Sequence, residues 1–124
     1  MGRIKTFRDL QVWQKAHRLV LEIYKITAGF PDYEKYGLVS QMRRAVISVA
    51  SNIVEGFVRR YIKDSLHFYN ISNASLEELK YQLFISRDLK YINEKDYHEA
   101  MNLCEEASKM LNSWIKSQKK NTKT

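Results

Sequence analysis

Apolar residues three and four apart run through nearly the whole chain, and almost nothing interrupts them. In 124 residues there are only four glycines and one proline. Sandwiches and barrels turn the chain every few residues and draw on glycine and proline to do so. Long uninterrupted runs with a 3.6-residue period instead predict a few long helices. At this length one domain with a small but real core is expected.

The spacing predicts four helices, over about 9–28, 38–59, 63–90 and 94–117. In the first, Val12, Ala16, Leu19, Ile23 and Ile26 share a face. Asp9 is its expected N-cap, and Gly29 with Phe30-Pro31 its stop, since the residue before proline avoids the α region. The second presents Leu38, Met42, Ala45, Val49, Ile53 and Phe57, and Val46 and Ile47 widen that arc. A wide arc predicts a second buried surface, so Trp13, Tyr24, Val46 and Ile47 are the candidate interface residues. The third helix carries Leu66, Tyr69, Asn73, Leu76, Leu79, Leu83, Ser86 and Leu89. The fourth opens at Asn93, an N-cap residue, and runs through Tyr97, Met101, Cys104 and Leu111. Short links favour antiparallel neighbours, so the expected fold is all-α, an antiparallel up-down-up-down four-helix bundle. Residues 1–8 form a basic N-terminal arm, and residues 118–124 a basic tail with nothing to bury, expected to be disordered.

Charge is unevenly spread. Of the net +7, residues 1–8 carry +3, residues 35–60 carry +4 and residues 116–124 carry +4, while 9–34 and 61–115 are slightly acidic. The basic character suggests an anionic partner. Arg43-Arg44 and Arg59-Arg60 stand sixteen residues apart, roughly 24 Å along an ideal helix. Arginine suits bidentate phosphate contact. Arg43, Arg44, Arg59, Arg60, Lys63, Lys119 and Lys120 are therefore the candidate nucleic-acid-binding residues, with tyrosines near helix ends as stacking surfaces. No sequence-reading motif accompanies them.

Signs of catalysis are missing from the pattern. His17, His67 and His98 fall on three different helices, and Glu94 and His98 lie four apart rather than the three that di-iron bundles use. Cys104, the single cysteine, sits at a core position, where an inert thiol is expected. No glycine-rich phosphate loop, nucleophile elbow or zinc cluster occurs. Neither catalytic nor metal-ligating residues, and no cofactor, are expected. Ser48, Asn52 and Glu55 can share one helix face and read as a polar clamp across the bundle or a subunit contact. The strictly apolar runs reach three residues, far short of a membrane span. The start MGRIKTFRDL lacks the apolar stretch of a signal peptide. No membrane association and a reducing, cytoplasmic setting are expected.

Several ordered blocks now resemble a known family. Phe7-Arg8-Asp9-Leu10-Gln11-Val12-Trp13-Gln14-Lys15-Ala16 is followed by Phe30-Pro31 and by Tyr36-Gly37-Leu38 with Gln41, Arg43, Arg44 and Ala45. Then come Ser48, Ser51-Asn52-Ile53, Glu55-Gly56-Phe57, Phe68-Tyr69-Asn70-Ile71, Ser75-Leu76, Glu78-Leu79 and Asp88-Leu89 with Tyr91-Ile92. Over residues 7–117 this is similar to the proteins encoded in intervening sequences of bacterial 23S ribosomal RNA genes. More loosely it is similar to the accessory proteins of diversity-generating retroelements. The resemblance implies an antiparallel four-helix bundle that associates with itself as a ring, typically a pentamer. The retroelement relatives bind a reverse transcriptase and are linked to RNA through a basic surface, and the family brings no catalytic residues to carry over. Val58-Arg59-Arg60-Tyr61 keeps the charge of a family stretch but lacks its second glycine. The resulting expectation is a non-enzymatic homo-oligomer that binds RNA or a nucleic-acid-associated protein. The alternative is a structural or protein-protein interaction module with no nucleic-acid role.

Overall fold

The computed structural model describes residues 3–121. Four helices make up the bundle: α1 Gln11–Thr27, α2 Leu38–Phe57, α3 Ile62–Asp88 and α4 Glu94–Asn121. Short 3-10 turns at Phe7–Asp9 and Asp32–Glu34 precede α1 and α2. Among the described residues there is no strand. Each helix packs on two neighbours, α1 on α2 and α4, α3 on α2 and α4. Cross-helix pairs fix the directions: Ser72 meets Val49 while Ser86 meets Met42, and Asn73 meets Asn112 while Lys80 meets Glu105. Neighbours are antiparallel throughout.

The centre is filled by Leu19 and Ile23 of α1, Met42, Val49 and Ile53 of α2, Leu76, Leu79 and Leu83 of α3, and Cys104 and Leu111 of α4. Burying each such side chain contributes about 1.5–3 kcal/mol against exposure. Burial pushes the Cys104 thiol up to about 12 from an ordinary 9, so at neutral pH it is a packed apolar group.

The face of α3 departs from the expected one. Its buried residues are Ser65, Tyr69, Ser72, Ser75, Leu76, Leu79, Gln82, Leu83 and Ser86. Asn73 instead sits at the α4 border, bonded to Asn112 at 3.0 Å, and Leu89 is 51% exposed. The reason is the α2–α3 seam. Small hydroxyls let the two helices approach, and two of them find acceptors across the seam: Ser72 Oγ donates to Val49 O at 2.8 Å, and Ser75 Oγ to Ser48 Oγ at 2.8 Å. An apolar-period reading passes over serines that are buried because they are small and bonded.

Both ends of the chain also differ. Asp9 does not cap α1; it closes a capping box on the preceding 3-10 turn, accepting from Lys5 N at 2.8 Å and Thr6 N at 3.0 Å. Those two amides hold its carboxyl below the usual range. Of the tail expected to be disordered, residues 118–121 continue α4 as helix, and residues 122–124 lie outside the described residues. Helix propagation adds a hydrogen bond per residue once a long helix exists. The lysines there also suit the negative end of the helix dipole.

At the other end of the bundle α3 stops in the left-handed region. Lys90 has φ 62°, with Tyr91 N donating to Ser86 O and Lys90 N to Arg87 O, both at 2.9 Å. This is a Schellman closure with lysine where glycine is usual.

Candidate nucleic-acid interface

Antiparallel topology brings the start of α1, the end of α2, the start of α3 and the end of α4 to one end of the bundle. Those are the segments in which positive charge is concentrated. Arg3, Lys5 and Arg8 arrive on the arm, Arg59, Arg60 and Lys63 on the α2–α3 link, and Lys116, Lys119 and Lys120 on α4. Asp9, Glu55 and Asp64 are the acids among them. Residues of all three segments border one depression: Ile4 of the arm, Arg59, Arg60 and Ile62 of the α2–α3 link, and Trp114 and Gln118 of α4. Ile4 also borders a larger groove of about 580 Å³ along α4, with Leu10, Met110 and Trp114.

Several of these cations are oriented by aromatic rings. Arg59 pairs with Glu55 and lies over Phe68, 4.4 Å from the ring centroid. Arg60 lies over Tyr61 at 5.8 Å and Arg8 over Phe7 at 5.1 Å. Tyr61 is 63% exposed, so a planar face stands in solvent beside Arg60. Guanidinium groups and an open tyrosine ring are what phosphate contact and base stacking use.

The arginine pair of α2's first half is elsewhere. Arg43 Nε donates to Thr27 Oγ1 at 3.0 Å and its Nη2 to Tyr24 O at 3.3 Å, with the guanidinium 4.4 Å over the Tyr24 ring. It adds a donor to Tyr24 O near the C-terminal end of α1, a carbonyl that already accepts from Ala28 N. Arg44 is exposed on the outer side of α2. Neither joins the basic end, because Arg43 and Arg44 lie in the first half of α2 and Arg59 and Arg60 just past its end.

The polar set on α2 divides. Asn52 Nδ2 donates to Ser48 O at 2.8 Å and to Ser48 Oγ at 3.0 Å, and Ser75 of α3 adds to the group. Glu55 does not take part: it is exposed and turned to Arg59. Of the interface candidates, Val46 is a correction. It is fully buried in the core, packed by the wide arc that suggested an outer surface. Trp13, Val20 and Tyr24 on α1 remain partly open beside Ile47, 42% exposed, on α2. Trp13 stacks on His17 at 5.1 Å and meets Phe7 edge-on at 4.9 Å.

Sequence reasoning left out the arm's Arg3, Lys5 and Arg8, and Lys116, as partners of Arg59 and Arg60. The signal was available: in an up-down bundle, odd helix starts and even helix ends share an end, so charge at the two termini and at the α2–α3 link must add. Among the described residues, no group of three histidine, cysteine or acidic side chains is arranged to hold a metal. No helix among them is long and apolar enough to cross a membrane.

A family model, that of the 23S rRNA-intervening sequence proteins, matches residues 8–113. A solved structure with the same fold is a protein of unknown function from the S23 ribosomal protein family of Bacteroides thetaiotaomicron VPI-5482. It is 24% identical, with a TM-score of 0.79, over 85% of this chain and 95% of that one. No curated protein matches the chain.

Proposed function

The chain belongs to the 23S rRNA-intervening sequence protein family, and from that premise we propose that it is a non-enzymatic, self-associating bundle that binds RNA through its basic end. One observation carries the reading. Three basic segments far apart in sequence meet at one end of the bundle, beside an exposed tyrosine. Structured RNA supplies both the phosphates and the unstacked bases that such a surface takes. Arg59, Arg60, Lys63, Lys119 and Lys120 carry the contacts, with the arm adding to the field. Arg43 acts within the fold, and Arg44 stands apart. Buried, protonated Cys104 fits a reducing, cytoplasmic setting.

The test is a titration of nuclease-treated protein with structured RNA at low and near-physiological salt. Sub-micromolar binding that survives the higher salt, and exceeds binding to unrelated duplex, supports the reading. Weak binding that disappears with salt reduces it to non-specific attraction.

A second reading, a structural module acting through protein contacts alone, draws on the α1–α2 face. Trp13, Val20, Tyr24 and Ile47 leave a half-open apolar strip there, of the composition that interfaces favour. The same strip is where copies join in the self-associating form, a pentameric ring by family resemblance. Sedimentation at micromolar concentration reads it: Ile47→Glu releases monomers from an assembly, and a monomeric wild-type chain overturns self-association.

A further inference from the structure

A depression of about 290 Å³ lies within the basic end, between the end of α2, the first turn of α3 and the last turns of α4. Its inner wall exists because residue 56 is glycine: a Cβ there would overlap the Tyr69 ring, which lies against the α2 backbone. Polar side chains border this space, and one of them is not used by the fold. Ser65 is only 7% exposed, and its hydroxyl has no partner among the described residues. Trp114 Nε1 is buried and turned to the Tyr69 hydroxyl, which accepts from it. The Tyr69 side chain is 2% exposed and also lines the wall. Arg59 and Arg60 stand at the rim. The first turn of α3 has no side-chain cap; Asp64 N and Ser65 N donate to Tyr61 O, and the amides of Ile62 and Lys63 have no helix acceptor. Glu55 is the competing acceptor, and it already holds one Nη2 of Arg59.

Buried donors without acceptors are uncommon in a finished fold. Here the Ser65 hydroxyl, two guanidinium groups and the leading amides of α3 border one space. The complementary group offers several acceptor oxygens and negative charge. A phosphate monoester has three such oxygens and a charge of about −1.5 to −2 at neutral pH, and helix starts favour it. A backbone diester crossing the surface has less charge and would leave the inner donors unmet.

We infer that this depression seats a terminal phosphate monoester, carried by a nucleic-acid strand or by a free nucleotide. The strand-borne form rests on the RNA reading above; the pocket itself does not.

The experiment uses the full chain and one short single-stranded RNA in three forms: a 5′-phosphate, a 3′-phosphate, or hydroxyls at both ends. Adenosine 5′-monophosphate and adenosine are titrated alongside. One phosphate-ended strand is expected to bind about fivefold or more tightly than the hydroxyl-ended strand. Ser65→Ala, checked for folding by circular dichroism, is expected to bring that ratio close to one. Tyr69→Phe is expected to lower it. Equal affinities for all three strands, together with no preference for the monophosphate over adenosine, overturn the pocket while leaving the RNA reading intact. A ratio that Ser65→Ala does not change places the phosphate elsewhere and also overturns it. A chain that binds no RNA, but prefers the monophosphate through Ser65, keeps the pocket for a free nucleotide and removes the RNA reading.

Discussion

The two ends of this bundle are built on opposite principles. At the far end, Glu34 Oε1 accepts from Leu38 N at 3.1 Å and Oε2 from the Tyr91 hydroxyl at 2.8 Å. Tyr33 lies 3.3 Å from the same hydroxyl, and Phe30 packs on the Tyr91 ring at 5.3 Å. Acids and bases mingle there, among them Asp32, Glu34, Lys35, Arg87, Asp88 and Lys95. At the basic end, cations gather with few acids, and the Ser65 hydroxyl has no partner among the described residues. One end spends its hydrogen-bonding groups on closing the fold. The other holds them in reserve, which is where a partner gains most by arriving.

The largest effect should come from Gly56. Gly56→Ala forces a methyl into the Tyr69 ring and should destabilise the chain by about 2–3 kcal/mol, the cost of overpacking a tight contact. Urea unfolding measures it. A neutral result would mean that Tyr69 does not lean on α2, and that the basic end is looser than described.

Next is the charge asymmetry. Replacing Arg60, Lys63 and Lys120 together by alanine should weaken RNA binding by tenfold or more. It should also lower the slope of log affinity against log salt by about two, close to 0.7 per lost contact on a single strand. Arg44→Ala, on the outer side of α2, should change neither. Equal effects from the two variants would erase the distinction between an organised basic end and a generally basic protein.

The far end should respond in the reverse sense. Glu34→Ala removes the acceptor of Leu38 N and of the Tyr91 hydroxyl, and should cost about 1 kcal/mol of stability without altering RNA affinity. The same cluster sets an alkaline limit. Hydrogen bonds to Tyr33 and Glu34 raise the Tyr91 phenol above its ordinary 10. A phenol that keeps its proton more firmly when folded stabilises the fold fully below pH 10. That contribution is lost as pH climbs from there through the raised folded value. Unfolding midpoints measured from pH 9 to 11 should therefore fall, and less steeply in Tyr91→Phe.

The smallest effect is at Lys90. Lys90→Gly relieves a left-handed residue at the α3 stop and should add about 0.5–1 kcal/mol, read as a modest rise in melting temperature.

How far the sequence foretells this differs between the same two regions. Helix number, antiparallel order and most of α1, α2 and α4 follow from apolar spacing, because there burial and hydrophobicity coincide. On α3 they part. Ser72 and Ser75 are buried through smallness and hydrogen bonds, which periodicity does not register. The cations were legible as residues but not as a group. Arg43 and Arg59 look alike in sequence; one is consumed by Thr27 Oγ1 and Tyr24 O at the end of α1, the other is delivered to the basic end. Ser65 carried no signal at all, since an unmatched donor becomes visible only when its neighbours are known.

The helices alternate in direction, so each backbone dipole lies beside one pointing the other way, and the four largely cancel. What remains is the lopsided placement of side-chain charge, which gives the whole molecule a permanent electric moment along its long axis. In the field of a polyanion that moment produces a torque. The protein turns end-on while still about a Debye length away, roughly 8 Å at physiological salt. Orientation is thus selected before any atom touches, and it appears in the speed of encounter as well as in the strength of the final hold.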